Sequence, residues 1–152
     1  MTKPISTRVH GLIDYGWVAA ATALSRRVDG ATSTARLLRY AATTTTASSL
    51  VTNYEAGAVR MLPMKGHLAM DAALCTALIA SPLFLPESER RYAFIPVLLG
   101  VMGLVTGALT QSRSPLEVNE EFGGLHGGGV RSEVSEFDPD VASSPHLRLH
   151  LE

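Results

Sequence analysis

Four long apolar runs constrain the fold of this chain more than any other feature. They cover residues 9–25, 40–59, 66–85 and 93–109, and the last of these carries no charged side chain. A helix that crosses a bilayer needs about 17–25 mostly apolar residues, because the hydrocarbon core is about 30 Å thick and each residue rises about 1.5 Å. No run shows the wide polar stripe of a surface helix in a soluble bundle. The pattern therefore predicts an all-α integral membrane bundle of four helices.

Two other interpretations of the runs stay open. A soluble four-helix bundle would contain the same helices, but the uncharged run at 93–109 argues against it. A cleaved signal peptide would explain why Lys3 and Arg8 precede an apolar stretch. Asp14, however, falls where the apolar centre of a signal peptide belongs.

Charge divides the chain near residue 112. Residues 1–112 hold ten Lys and Arg against six Asp and Glu, whereas residues 113–152 hold three against eight. The second part is also rich in Gly, Ser and Pro, a composition that buries too little apolar surface to order itself. We therefore predict a four-helix transmembrane domain at 1–112 and an acidic, disordered tail at 113–152.

The composition also excludes several functions. Cys75 is the only cysteine, so the chain forms no internal disulfide and no cysteine-based zinc site. Basic residues do not cluster with aromatic ones, so nucleic acid is not expected as a partner. No serine lies in a recognisable nucleophile motif, and we expect neither enzymatic activity nor a bound cofactor. The expected partners are the lipid bilayer and, within it, further copies of the chain or other membrane proteins.

An internal repeat organises the four runs. His10 and Asp14 open the first run, and His67 and Asp71 open the third, 57 residues later. The tripeptide Leu-Val-Thr, late in the second run, returns late in the fourth, 54 residues on. Matches that keep their order along the chain are typical of a duplicated unit.

The repeating unit is a helical hairpin. Repeat one covers about 8–59 and repeat two about 64–111. Two crossings return the chain to its starting side, so the repeats have parallel topology. Helices one and three then begin at the membrane face where helices two and four end. This topology gathers a candidate polar cluster there, made of His10, Asp14, Tyr54, Glu55, His67 and Asp71.

The polar cluster permits three interpretations. A His and an Asp four positions apart share a helix face, so each pair can form a hydrogen bond that clasps the helices, while Glu55 pairs with Arg60 or a histidine. A second interpretation is a proton or ion path, because an ordinary histidine pKa near 6.5 suits proton transfer. A third is a metal or haem site, since four-helix bundles hold such sites. Its candidate ligands are His10, Asp14, Glu55, His67 and Asp71. The Glu-x-x-His pattern of di-iron bundles is absent from the sequence.

Several motifs in the middle of the chain resemble a known family. They are the segments 51–57 (Val-Thr-Asn-Tyr-Glu-Ala-Gly), 60–64 (Arg-Met-Leu-Pro-Met), 67–71 (His-Leu-Ala-Met-Asp) and 81–84 (Ser-Pro-Leu-Phe). Together they resemble the SPW-repeat-type bacterial membrane proteins, a family named for a Ser-Pro-Trp motif. The sequence departs from that motif, because Leu83 follows Ser-Pro in the second repeat and Ser-Arg-Arg stands at the equivalent place in the first.

The resemblance implies a multi-pass protein of the bacterial plasma membrane and assigns no activity. The leading interpretation from the sequence is therefore a small structural or interaction protein of that membrane. The alternative is a proton- or metal-linked membrane protein that uses the paired His and Asp side chains.

Overall fold

The fold is all-helical, as the sequence predicts. The computed structural model describes residues 3–28 and 32–127, with side chains as far as residue 121. Five α-helices are present in these residues: α1 Thr7–Arg27, α2 Ser33–Val51, α3 Met64–Ala80, α4 Phe94–Leu109 and α5 Pro115–Gly127. Short 3-10 helices at Ser81–Leu83 and Glu87–Tyr92 connect α3 to α4.

The second helix lies earlier in the chain than the apolar run at 40–59 predicts. It begins after Thr32, whose side chain accepts a hydrogen bond from the backbone N–H of Ala35. This cap precedes a polar first turn that hydropathy alone misses. The helix ends at Val51, because the chain then bends into a loop in which Thr52 bridges to Leu62.

The predicted tail is ordered where it begins. Residues 113–152 were expected to be disordered, yet α5 starts at Pro115, directly after Ser114. The Ser114 hydroxyl accepts a hydrogen bond from the backbone N–H of Glu117 and donates one to the carbonyl of Asn53. A serine, a proline at the first helical position and a glutamate three residues after the serine form a known helix start, which outweighs composition here. Residues 128–152 of the predicted tail lie outside the described residues.

The first four helices pack as two hairpins. α1 packs mainly against α2, and α3 mainly against α4, with smaller contacts between α1 and α4 and between α2 and α3. Small side chains allow the close approach of α3 and α4. A Cβ atom on Gly100 would lie 2.6 Å from the carbonyl oxygen of Cys75, and one on Gly103 would overlap the sulfur of the same residue. Gly107 has room for a methyl group, so the close contacts are at Gly100 and Gly103.

Many polar side chains are buried, and many large apolar side chains are exposed. The interior holds many hydroxyl and ionisable groups, among them Thr45, Ser48 and Asp14. Many large apolar side chains are exposed on the outer faces of the helices: Val9, Leu12, Ile13, Leu50, Met70, Phe94, Leu98, Val101, Met102, Val105 and Leu109. A compact apolar core around Ala21, Leu38 and Leu99 fills the other part of the bundle.

Four membrane spans are not evident from helix length and hydropathy. Among the described residues, one helical segment is long and apolar enough to cross a bilayer, Met64–Leu83, and Phe94–Leu109 is apolar but shorter. α1 has 21 residues and α2 has 19, so both are long enough to cross a bilayer. Their polar content, not their length, distinguishes them from the segment Met64–Leu83.

Candidate metal centre

Four side chains, three of them buried and the fourth, Asp71, partly buried, meet at the end of the bundle where α1 and α3 begin. Nε2 of His10 lies 3.3 Å from Nε2 of His67 and 3.3 Å from Oδ2 of Asp71. Nε2 of His67 lies 3.1 Å from Oδ2 of Asp14 and 3.1 Å from Oδ2 of Asp71. The fifth contact joins Nε2 of His10 to Oδ1 of Asp14 at 3.5 Å. We call these four residues the His/Asp cluster.

A threonine hydroxyl fixes the orientation of each imidazole. Nδ1 of His67 lies 3.0 Å from the Thr52 hydroxyl, and that hydroxyl donates its one proton to the Ser48 carbonyl at 2.6 Å. The hydroxyl can then only accept from the ring, so Nδ1 of His67 carries a proton and donates it. In a neutral ring, Nε2 is left with a lone pair that points into the cluster.

The same arrangement holds for the other histidine. Nδ1 of His10 lies 2.9 Å from the Thr110 hydroxyl, which donates to the Thr106 carbonyl at 2.7 Å. Two imidazole lone pairs and two carboxylates therefore share one small volume. Because all four groups are electron-rich, they repel one another unless protons or a metal ion supply positive charge.

Five of the six spacings among the four groups are close to those of tetrahedral metal ligands. In a regular tetrahedron, two ligand atoms are separated by about 1.6 times the metal–ligand distance. Bonds of about 2.0–2.1 Å from zinc to His or Asp thus place the ligand atoms about 3.3–3.4 Å apart. The five contacts within the His/Asp cluster span 3.1–3.5 Å. All four residues can offer ligand atoms within 4.8 Å of one another.

Equivalent contacts relate the two hairpins. His10 and His67 are 57 positions apart and occupy matching places, as do Asp14 and Asp71. Thr110 is the counterpart of Thr52, so the tripeptide match 54 residues apart, which aligns Thr106 with Thr52, is one helical turn out of register. Each threonine also begins a short extended contact, Thr52 with Leu62 and Thr110 with Ile5.

The remaining predicted cluster residues have separate places. Tyr54 is buried beside the cluster, with its ring centroid 5.7 Å from that of His67, and burial raises the pKa of its hydroxyl to about 12. Glu55 is exposed and accepts a hydrogen bond from the Thr7 hydroxyl at 2.7 Å. Among the residues whose side chains are described, Glu55 neither joins the cluster nor pairs with a histidine, so the structure does not support it as a ligand of a metal bound there.

Hydroxyl groups are the site residues that the sequence interpretation missed. Besides Thr52 and Thr110, Ser49 donates a hydrogen bond to Oδ2 of Asp14 at 3.1 Å. These residues lie at the ends of α2 and α4, which the hairpin topology places beside the starts of α1 and α3. Topology was therefore a usable signal for Thr110, whereas the Leu-Val-Thr repeat drew attention to Thr106 instead.

A cavity of about 270 Å³ adjoins the His/Asp cluster between α1 and α4. Its walls include Trp17, Leu74, Leu99 and Met102, and its polar end includes Asp71. The Trp17 indole N–H donates to the Leu99 carbonyl at 3.1 Å, which fixes the ring in the cavity wall. The site therefore combines a charged cluster with an adjacent apolar space.

Comparisons with known proteins do not assign the chain to a family. The chain matches no protein-family model, and neither curated proteins nor solved structures gave a match. The resemblance to SPW-repeat-type proteins in the segment 51–84 thus stays a prediction, and the chemistry of the site has to be argued from its own geometry.

Proposed function

We propose that this protein binds one divalent transition-metal ion through Nε2 of His10 and His67 and carboxylate oxygens of Asp14 and Asp71. The observation that carries the proposal is that five of the six pairs of groups are separated by 3.1–3.5 Å, close to the edge length of a tetrahedral site, while all four residues offer ligand atoms within 4.8 Å of one another. Zinc fits this geometry best. Iron, manganese and cobalt accept the same mixture of imidazole and carboxylate ligands.

The surroundings of the cluster are those of metal-binding histidines. Such histidines nearly always donate their other ring N–H to an oxygen acceptor, which fixes the tautomer and the ring orientation. Thr52 and Thr110 fill that role for His67 and His10. Ser49 adds a hydrogen bond to Asp14 from outside the cluster. An ion also removes the mutual repulsion of the four electron-rich groups.

The alternative function is structural pairing, in which protonated imidazoles offset the two carboxylates. That arrangement would clasp α1 to α3, in keeping with a structural or interaction protein. It would hold no metal, and loss of a histidine would reduce stability without removing any bound ion. Metal content therefore separates the two functions.

The metal proposal is tested by elemental analysis of the detergent-purified protein after loading with Zn²⁺, Mn²⁺, Fe²⁺ or Co²⁺. We expect about one ion per chain in the wild type and loss of that ion in the double variant His10→Gln, His67→Gln. Glu55→Gln is the matched control, because Glu55 is a nearby carboxylate outside the cluster. The same helix content in all three proteins, measured by circular dichroism, keeps the comparison valid. A wild type that holds none of the four ions contradicts the proposal.

We further propose that the chain is a multi-pass protein of the bacterial plasma membrane. The support is the distribution of side chains: polar groups such as Asp14, Thr45 and Ser48 are buried, and apolar side chains such as Leu12, Val101 and Val105 are exposed. A membrane helix needs an apolar outer face, whereas its inner face tolerates hydroxyl and ionisable groups. Low mean hydropathy in α1 and α2 is compatible with this arrangement, because interior groups lower it.

Cysteine labelling tests the membrane proposal. Cys75 is the only native cysteine and is buried, so a Cys75→Ala background carrying Ser88→Cys or Ser112→Cys offers one exposed thiol at a time. Ser88 lies between α3 and α4, and Ser112 lies after α4. If α4 crosses the membrane, a membrane-impermeant maleimide labels only one of the two in intact cells and both after lysis. Equal labelling in intact cells, with the protein released by an alkaline wash, contradicts the proposal.

A further inference from the structure

We propose that the cavity between α1 and α4 binds a small apolar molecule that ends in a hydroxyl group, with the hydroxyl directed to the His/Asp cluster. This inference deepens the proposed function and rests on it, because the ion is one of the two groups that would hold the hydroxyl oxygen. It names the class of ligand that such a metal centre would take.

The walls of the cavity indicate that most of the ligand is apolar. Trp17, Leu74, Leu99 and Met102 supply aromatic and aliphatic surface along most of its length. The volume of about 270 Å³ exceeds the 150 Å³ or so of an apolar cavity that takes up benzene. It has room for about nine groups of the size of a water molecule, at about 30 Å³ each. A molecule with one substituted ring, or a chain of similar volume, fits this space.

The polar end of the cavity indicates the chemistry of the ligand's head group. Asp71 contacts both histidines through Oδ2, which leaves Oδ1 as an acceptor without a hydrogen bond among the described residues. Asp71 also lines the cavity. A hydroxyl suits this position, because its oxygen can approach the ion while its proton is donated to Oδ1 of Asp71. A zinc ion held there would have to accept the hydroxyl oxygen as a fifth ligand, a coordination number that some zinc sites adopt.

The cavity is reached from the outer face of the bundle. Ile13 and Met102, which lie at the lining, are 37% and 52% exposed. In the membrane arrangement proposed above, this opening faces lipid, where an apolar alcohol or phenol concentrates. Charged and strongly hydrated molecules would have to leave water to enter.

Benzyl alcohol is a suitable probe, with cobalt as the bound ion. Trp17 is the only tryptophan and forms part of the cavity wall, so its fluorescence reports occupancy. We expect a saturable change in emission with benzyl alcohol and a binding at least tenfold weaker with toluene, which lacks the hydroxyl. Paramagnetic Co²⁺ should relax the benzylic protons more strongly than the ring proton opposite the substituent. Faster relaxation of that ring proton would overturn the proposed orientation.

Two variants locate the binding. Gly16 lines the cavity, and a Cβ there would meet no atom within 4 Å, so the larger side chain of Gly16→Leu should take up part of the cavity and weaken the binding of benzyl alcohol at least tenfold. Ala19→Leu is the control, because Ala19 is exposed on the same helix and outside the lining. Equal affinity in Gly16→Leu and wild type overturns the inference. So does tighter binding of benzylamine, since it would indicate a cationic head group.

The metal content of the same samples keeps the two proposals apart. Absence of cobalt from the loaded wild type overturns the metal proposal, and saturable binding of benzyl alcohol in that protein would still support a hydroxyl donated to Asp71. Stoichiometric cobalt without any saturable change in Trp17 emission overturns the ligand inference alone.

Discussion

The Thr110 hydroxyl lies 2.9 Å from Nδ1 of His10, although the two residues are 100 positions apart in the chain. The second hairpin thereby orients the histidine of the first. Thr52 of the first hairpin does the same for His67 of the second, at 3.0 Å. Neither hairpin contains a complete, correctly oriented half of the cluster.

Replacing either threonine by valine should weaken metal binding. Thr110→Val leaves the buried Nδ1–H of His10 without its acceptor and lets the ring turn, which typically lowers metal affinity by about 10–100-fold. Thr110→Ser keeps the hydroxyl and should bind as the wild type does. Competition with a chromogenic zinc chelator measures the three affinities. Equal affinity in the valine variant would show that the threonine does not hold the ring.

A methyl group on Gly11 should disturb the site, whereas one on Gly16 should not. A Cβ on Gly11 would lie 2.6 Å from Cβ of Ala56 and 2.6 Å from the ring of Tyr54, which packs beside His67. Overpacking of this kind costs about 1–3 kcal/mol in the free energy of unfolding. Gly16→Ala, in open space on the same helix, should gain up to about 1 kcal/mol from helix propensity. Thermal unfolding of the two variants should therefore shift in opposite directions.

Of the three α4 glycines Gly100, Gly103 and Gly107, only Gly107 should tolerate replacement by alanine. Gly100→Ala places a methyl group 2.6 Å from the Cys75 carbonyl oxygen, a backbone atom that cannot rotate away. The expected loss is about 1–3 kcal/mol of stability. Gly107→Ala is the control, since its nearest neighbour is the end of Leu68 at 3.9 Å. Denaturation in a fixed detergent compares them, and equal midpoints would contradict the close approach of these two helices.

Protonation of Glu89 in acid should lower the free energy of unfolding. Its carboxylate accepts hydrogen bonds from the backbone N–H groups of Thr34 at 2.8 Å and Ser33 at 2.9 Å, and these bonds lower the pKa of Glu89 below its ordinary value of 4.5. A carboxyl whose folded pKa is depressed stabilises the fold above the unfolded pKa and loses that contribution as pH falls towards the folded pKa.

The Glu89 contribution is measured by comparing variants across pH. Glu89→Gln should melt at a lower temperature than the wild type at pH 7, and the gap should narrow below about pH 4.5. Glu87→Gln is the control, because Glu87 is exposed in the same 3-10 helix. A gap between Glu89→Gln and wild type that stays constant from pH 7 to pH 3 would contradict this assignment.

Much of the fold could be predicted from apolar periodicity and helix signals. The predicted starts at residues 9, 66 and 93 lie within two residues of α1, α3 and α4. The predicted start of α2, at residue 40, is seven residues too late because the first turn of the helix is polar. A cap at Thr32 rather than hydropathy determines the start. α5 was missed because composition was weighed above the local signal of Ser114, Pro115 and Glu117.

The site could be predicted in part. Paired His and Asp residues at helix starts, together with parallel hairpins, were sufficient to bring His10, Asp14, His67 and Asp71 together. The position of Glu55 could not be obtained this way, because it follows α2 in a loop whose bends depend on backbone hydrogen bonds between Val51 and Leu62. Sequence spacing gives no information about such loop contacts. The cavity is equally invisible in the sequence, since it depends on how side chains from α1 and α4 fit together.

Each hairpin supplies the threonine that orients the histidine of the other hairpin, and this suggests how such a site can originate. A single hairpin with one His, one Asp and one Thr would complete the cluster only by pairing with a copy of itself, as in a twofold dimer where each contact occurs twice. Fusing the copies makes assembly independent of protein concentration. After fusion, the two copies can also differ in sequence. Gly107 stands where the other hairpin has Ser49, so the Asp14 carboxylate receives a hydroxyl donor, whereas Asp71 receives none from the equivalent position.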